Sequence, residues 1–159
     1  MEEILEILEK NSRYTDEQIA VMTGRSVEEV REAIRDYEEK SIIAGYTTLI
    51  NWENTGSEVV TALIEVKITL QRGEGFDKVA ERIYKFSEVN ACYLMSGGFD
   101  LTVIVEGRTM KEVALFVSEK LAVQQHVVST STHFVLKKYK DHGKIFREKK
   151  IEDREEIFI

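Results

Sequence analysis

Residues Thr15 to Tyr37 constrain this chain more than any other stretch, because their small, flexible and capping residues stand at helix-turn-helix spacing. Ala20 is small enough for a second helix to approach closely. Gly24 can take the positive φ of a tight turn. Val30 and Ile34 fall one helical turn apart on a face that must point inward. Two capping boxes bracket the unit: Thr15 with Gln18 opens one helix, and Ser26 with Glu29 opens the next. A short helix, a glycine turn and a second capped helix place that second helix to enter a DNA major groove.

The charge of this stretch runs against such a use. Its second helix carries Glu28, Glu29, Glu32, Asp36, Glu38 and Glu39. Residues 1–44 hold six Lys and Arg against twelve Asp and Glu, a net of −6, which leaves −1 for residues 45–159 of the total −7. A reading head of that sign is unexpected for a polyanionic partner. A hydrophobic content of 43% provides an ample core and argues against disorder. No apolar run is long enough to span a bilayer, and no basic-then-apolar leader is visible. The lone Cys92 sits in an apolar strand pattern and suggests a reducing cytosol without disulfides. The chain contains no proline, so its breaks fall at Gly, Asn and Ser.

Hydrophobic periodicity predicts helices over Glu2–Asn11, Asp16–Thr23 and Val27–Lys40, whose small joint core is marginal by itself. A strand is expected over Ile42–Ile50, followed by a polar connection, Asn51–Ser57. Alternation then predicts a strand over Val59–Leu70, broken by Gly73 and Gly75. A helix over Phe76–Phe86, strands over Ala91–Ser96 and Leu101–Glu106 joined by a tight Gly97-Gly98 turn, a Thr109-capped helix over Met110–Ala122 and a strand over Val127–Tyr139 complete the pattern. The order β-α-β-β-α-β is the split ferredoxin-like arrangement. The expected fold class is therefore α+β: an N-terminal three-helix winged helix-turn-helix domain and a C-terminal ferredoxin-like βαββαβ domain. Boundaries are set at 1–44, a linker strand and connection at 45–57, the ferredoxin-like domain at 58–140 and a charged tail at 141–159. That tail closes with Ile157, Phe158 and Ile159 and is expected to be partly mobile or to pack on another subunit.

Three segments in order resemble the Lrp/AsnC, or feast/famine, family of transcription regulators over about residues 1–140. The first runs from Asp16-Glu17-Gln18-Ile19-Ala20 through Val27-Glu28-Glu29-Val30-Arg31 to Tyr37-Glu38-Glu39 and Ile43-Ala44-Gly45-Tyr46, similar to the family's recognition helix, acidic "LEE" end and "I-x-G-Y" entry. The second, Cys92 to Asp100, resembles its "G-x-[FY]-D" hairpin. The third, Thr130-Ser131-Thr132-His133-Phe134-Val135-Leu136-Lys137, is similar to its last strand. Two departures stand out: the recognition helix is less basic than is usual, and Ser41 occupies a position where the family commonly has Gly.

The resemblance implies double-stranded DNA as a partner, contacted through Arg25, Ser26, Arg31 and Arg35. Ser26 stands at a helix N-terminus, and Arg31 and Arg35 are one turn apart. The competing reading pairs these arginines with Glu28, Glu32 and Glu39 along the helix surface. The family forms dimers through its ferredoxin-like domains and often assembles four into an octamer, so a homodimer building an octamer is implied here. A small effector, usually an amino acid, binds between dimers in the family. Carried over, Gly97, Gly98, Phe99 and Asp100 line that site, facing Thr130 and Thr132 of another subunit. Backbone N–H groups of the glycines suit a carboxylate, and Asp100 suits an ammonium. Without the resemblance, Gly97-Gly98 is a hairpin turn capped by Asp100, and the threonines fill a strand face.

No catalytic constellation, metal site or cofactor motif is present. His126 and His133 lack paired spacing, and His133 reads as half-buried packing. Glu74, Asp77 and Glu81 form a solvated helix face. Trp52 reads as an anchor in the linker. The expected protein is a cytoplasmic, non-enzymatic regulator without a membrane partner. Two rivals stand beside it: an acidic helix-turn-helix protein that hetero-oligomerises with another regulator without binding DNA strongly, and a small ferredoxin-like enzyme.

Overall fold

Ladders and caps of a computed structural model, which describes residues 2–70 and 75–147, account for most of this pattern. Gly73 and Glu74, and the tail triplet Ile157-Phe158-Ile159, lie outside the described residues. The chain divides into two compact units, residues 1–49 and 50–159.

The first unit holds α1 (Glu2–Lys10), α2 (Asp16–Thr23) and α3 (Val27–Glu39). Both predicted capping boxes form, Thr15 with Gln18 and Ser26 with Glu29. Gly24 closes α2 in the left-handed region at φ 67°, and the Arg25 N–H reaches the Ala20 carbonyl at 3.1 Å. Ile4, Ile19, Ala20, Val30 and Tyr37 form the buried core. The end of α3 is a Schellman turn: Ile42 N–H donates to the Tyr37 carbonyl (2.8 Å) and Ser41 N–H to the Glu38 carbonyl (3.0 Å). Its left-handed residue is Ser41, at φ 55°. This motif usually places Gly at that position, so the departure at Ser41 carries a backbone cost.

The expected strand over Ile42–Ile50 does not form. Residues 44–51 make no ladder among the described residues, so the first unit shows three helices and no paired wing. An extended segment becomes a strand only where a neighbour takes its backbone groups. Past Ile43, a side-chain bond from the Tyr46 hydroxyl to Glu38 (2.9 Å) ties the segment back.

The second unit begins with a 3₁₀ turn at Trp52–Thr55. It continues through β1 (Val60–Ile68), α4 (Phe76–Tyr84), β2 (Val89–Leu94), β3 (Leu101–Gly107), α5 (Met110–Phe116) and β4 (Val127–Phe134). The sheet order β2-β3-β1-β4 is antiparallel and ferredoxin-like. β1 runs down the centre, and Ala62, Ile64 and Val66 join Leu101, Val103 and Val105 beneath Val79, Ile83, Val113, Phe116 and Leu121 of the helical layer. The predicted helix after Thr109 is α-helical only to Phe116; Val117–Leu121 widens to a π turn, with Ala122 N–H donating to Val117 (2.7 Å). Leu121 is buried there at 0% exposure, consistent with that turn serving to reach the core.

Two further expectations are corrected, and one short hairpin is added. The Gly97-Gly98 turn is part of a six-residue loop, Met95–Asp100, closed by the Met95 N–H on the Asp100 carbonyl (2.8 Å) rather than by a two-residue hairpin. β4 stops at Phe134, five residues short of Tyr139: Ala62 is its last register partner, and past the Val135–Thr61 bond the chain runs beyond the start of β1. Lys140–Asp141 (β5) and Lys144–Ile145 (β6) then pair around His142 and Gly143, both at positive φ, as a two-residue primed turn requires.

Two outcomes follow from the caps of α3. Ser41→Gly should stabilise the protein by about 0.5–1 kcal/mol by relieving the left-handed strain, net of glycine's entropy, read by denaturant unfolding. The Glu29 carboxylate accepts from Ser26, which holds its pKa below the usual 4.5. Its contribution is therefore complete above about pH 4.5 and lost as the pH falls through the lower folded value. Far-UV circular dichroism should show an acid loss of helix that Glu29→Gln makes flatter.

Candidate DNA-reading head and effector loop

The sequence of α2-turn-α3 positions the four candidate DNA contacts unequally. Ser26 is exposed, but its hydroxyl is already engaged: it donates to Glu29 Oε2 (2.9 Å) and accepts from Glu29 N–H (3.2 Å). Arg31 reaches across the motif, with Nε 3.1 Å from Asp16 Oδ2 on α2. The competing sequence reading, in which Arg31 pairs with Glu28 or Glu32 on its own helix, is replaced by this cross-helix pair. The two residues are 15 apart, so no local spacing signalled it. Arg25 is half-buried beside the Gly24 turn and Arg35 is exposed. Neither side chain enters an ion pair or hydrogen bond among the described residues. Lys40 is spent on Asp36 at 2.8 Å. The freest cations of the head are thus Arg25 at the start of α3 and Arg35 more than two turns along it. Glu28 and Glu32 stand exposed on the same helix.

In the second unit the candidate effector residues fall on two sides of β1. Asp100 is half-buried and acts first as a strand tie: its Oδ2 accepts the Ile68 N–H at 2.7 Å, and its own N–H donates to the Val66 carbonyl at 3.0 Å. Both β1 groups face β3, and the β1–β3 ladder ends at the Val66–Leu101 pair, so Asp100 takes up the Ile68 N–H just beyond that end. One carboxylate oxygen is therefore committed, and the other has no partner among the described residues. Gly97 sits at φ 146°, a backbone conformation that favours glycine; at Gly98 a side chain would meet nothing within 4 Å. The loop is open on that side. Phe99 is half-buried.

Thr130 and Thr132 lie opposite Val66 and Ile64 on β4, half-buried on the helix-bearing face. β1 separates them from the loop by two strand spacings, about 10 Å. One chain does not bring the six residues together. Two depressions of this unit, of about 520 and 340 Å³, are lined by other residues.

The face of the sheet away from the helices is a polar-aromatic platform. The register aligns Tyr93, Thr102, Glu65 and Ser131 in one row, and Ala91, Ile104, Leu63 and His133 in the next. His133 is exposed and lies 3.4 Å from Glu65, so it is a surface group and not half-buried packing. Burial raises the Cys92 thiol pKa, as expected of an inert strand cysteine. Among the described residues no cluster of His, Cys, Asp and Glu could hold a metal, and no helix is long and apolar enough to cross a membrane.

Comparison with known proteins agrees with this architecture. The Lrp/AsnC ligand binding domain matches residues 61–145. Over 145 residues the chain is 54% identical to YugG of Bacillus subtilis, an uncharacterised HTH-type transcriptional regulator, covering 91% of this chain and 87% of that protein. It is 33% identical to the HTH-type transcriptional regulator LrpA of Pyrococcus horikoshii, covering 86% and 94% of the two chains. A Neisseria meningitidis transcriptional regulator solved with L-methionine shares the fold, with a TM-score of 0.66 at 24% identity, covering 87% of this chain and 89% of that one. A central antiparallel sheet, a capped helix-turn-helix and these similarities together establish that the chain belongs to the Lrp/AsnC family.

Proposed function

We propose that this protein is a cytoplasmic DNA-binding transcription regulator that responds to an amino acid or related small metabolite. The observation that carries the reading is the α2–Gly24–α3 motif, capped at both helix starts, in a chain whose relatives are HTH-type transcriptional regulators. Arg25 and Arg35 supply the principal DNA contacts. Ser26 and Arg31, engaged with Glu29 and Asp16, position the helix and add secondary contacts to phosphate.

So few cations, set among carboxylates, give each head weak, salt-sensitive affinity. Function then depends on joining heads. Leu63 and Ile104, with Tyr93 in the neighbouring row of the open sheet face, suit a dimer, and further assembly toward an octamer raises the effective concentration of each head at the DNA. The effector loop at Gly97–Asp100 meets Thr130 and Thr132 of another subunit, which is consistent with their separation by β1 within one chain. A ligand held there favours one assembly over another and so changes how the heads are spaced. The solved Neisseria relative with L-methionine supports a ligand of this class. The relatives named above, HTH-type transcriptional regulators by name, favour this reading over the enzymatic rival.

Replacing Arg25 and Arg35 together by Ala should weaken binding to the DNA upstream of the coding sequence at least about tenfold and flatten its salt dependence, measured by fluorescence anisotropy. Binding that survives this change would place the interface elsewhere. Asp100→Asn keeps an acceptor for the Ile68 N–H but removes the charge. It should therefore leave the melting temperature within a few degrees while abolishing the stabilisation given by the responsive amino acid in a thermal-shift panel.

A further inference from the structure

Several carboxylates of α3 already have work within the head. Glu29 closes the capping box on Ser26, Asp36 holds Lys40, and Glu38 accepts from the Tyr46 hydroxyl. Glu28 differs: it is exposed and enters no hydrogen bond or ion pair among the described residues. Its natural partner on the helix surface is Arg31, three residues on. The Asp16 carboxylate of α2 takes that guanidinium instead, Nε to Oδ2 at 3.1 Å. Glu28 is therefore left as an acceptor without a cation of its own.

Its position gives that acceptor a use. Glu28 is the second residue of α3, just after the Ser26 cap and Val27. At 3.6 residues per turn it lies half a turn around the helix from the buried Tyr37, and nearly so from the buried Val30. It thus stands on the outward face, in line with Arg35. The N-terminal residues of a recognition helix are the ones that meet base edges. Arg25 precedes the cap, and Arg35 lies seven residues on, about 10 Å along the axis. Cations on both sides offset the repulsion between one carboxylate and the phosphates. An ionised carboxylate only accepts hydrogen bonds. In the major groove it is turned away by guanine N7 and O6 and by thymine O4, and the N7 acceptor beside the adenine amino group disfavours adenine as well. The N4 amino group of cytosine is the donor it matches.

We propose that Glu28 is a specificity-determining residue of the reading head, accepting from the N4 amino group of a cytosine in the major groove. The inference rests on the DNA-binding reading above. Stabilisation of the α3 dipole by the same carboxylate would affect helix stability, not the base chosen.

Selection of duplexes from a randomised library by the full chain, followed by anisotropy titrations of single base-pair changes in the enriched site, tests this. Wild type should enrich a C·G pair at one fixed position and lose about fivefold or more in affinity when that pair is replaced. Glu28→Gln should move the preference at that position to A·T, which a side-chain amide matches. Glu28→Ala should make the position indifferent. Both variants should bind random-sequence duplex at least as tightly as wild type, because a negative charge has been removed. Glu39→Gln, at the far end of α3, should leave the preference unchanged, and far-UV circular dichroism should show the helices retained in every variant. A cytosine preference that persists in the folded Glu28→Gln and Glu28→Ala proteins overturns the proposal. So does a wild type that binds DNA without enriching cytosine. A wild type that binds no duplex overturns the DNA-binding reading itself, and this inference with it.

Discussion

The central strand β1 is the constraint on which the second unit rests. Its backbone groups are taken by β3 on one side and β4 on the other, and its inward residues Ala62, Ile64 and Val66 are each 0% exposed. Where its ladder to β3 ends at the Val66–Leu101 pair, the next N–H on that side, Ile68's, is taken by the Asp100 carboxylate. The same aspartate is the residue best suited to hold an ammonium in the neighbouring loop. A single side chain thus closes the sheet and stands at the candidate effector site, so the strand end and the loop are mechanically one feature.

The first unit shows a different economy. Its helix caps, glycine turn and core are well formed, but its chemistry toward DNA is sparse. Arg31 is drawn to Asp16 and Ser26 to Glu29, leaving Arg25 and Arg35 among exposed carboxylates. Pairings that sharpen the motif's geometry reduce the positive charge it can offer. In the proposed function, a head of this kind gains usable affinity by being one of several.

Elements set by local signals were readable in the sequence. Thr15, Ser26 and Thr109 announce the helix starts, Gly24 the turn, and the alternation along β1 the sheet face. What was not readable depended on long-range partners. The stretch 42–50 has strand composition but finds no ladder among the described residues. β4 ends opposite the start of β1, a limit its own alternation does not contain. The Asp16–Arg31 pair and the Asp100–Ile68 tie join residues 15 and 32 positions apart. At the candidate effector site, residue identities were legible as a motif, but their separation by β1 required the strand order. Ser41 is the intermediate case: its oddity was visible, and its left-handed φ explains it.

The central claim is that several weak heads act together on DNA. Footprinting of the full chain on the DNA upstream of its own coding sequence, at low salt and with increasing protein, tests it most directly. The account predicts protections that appear together over a narrow concentration range and repeat at helical-turn spacing on one face of the duplex. A single isolated protected site, or none, would contradict it.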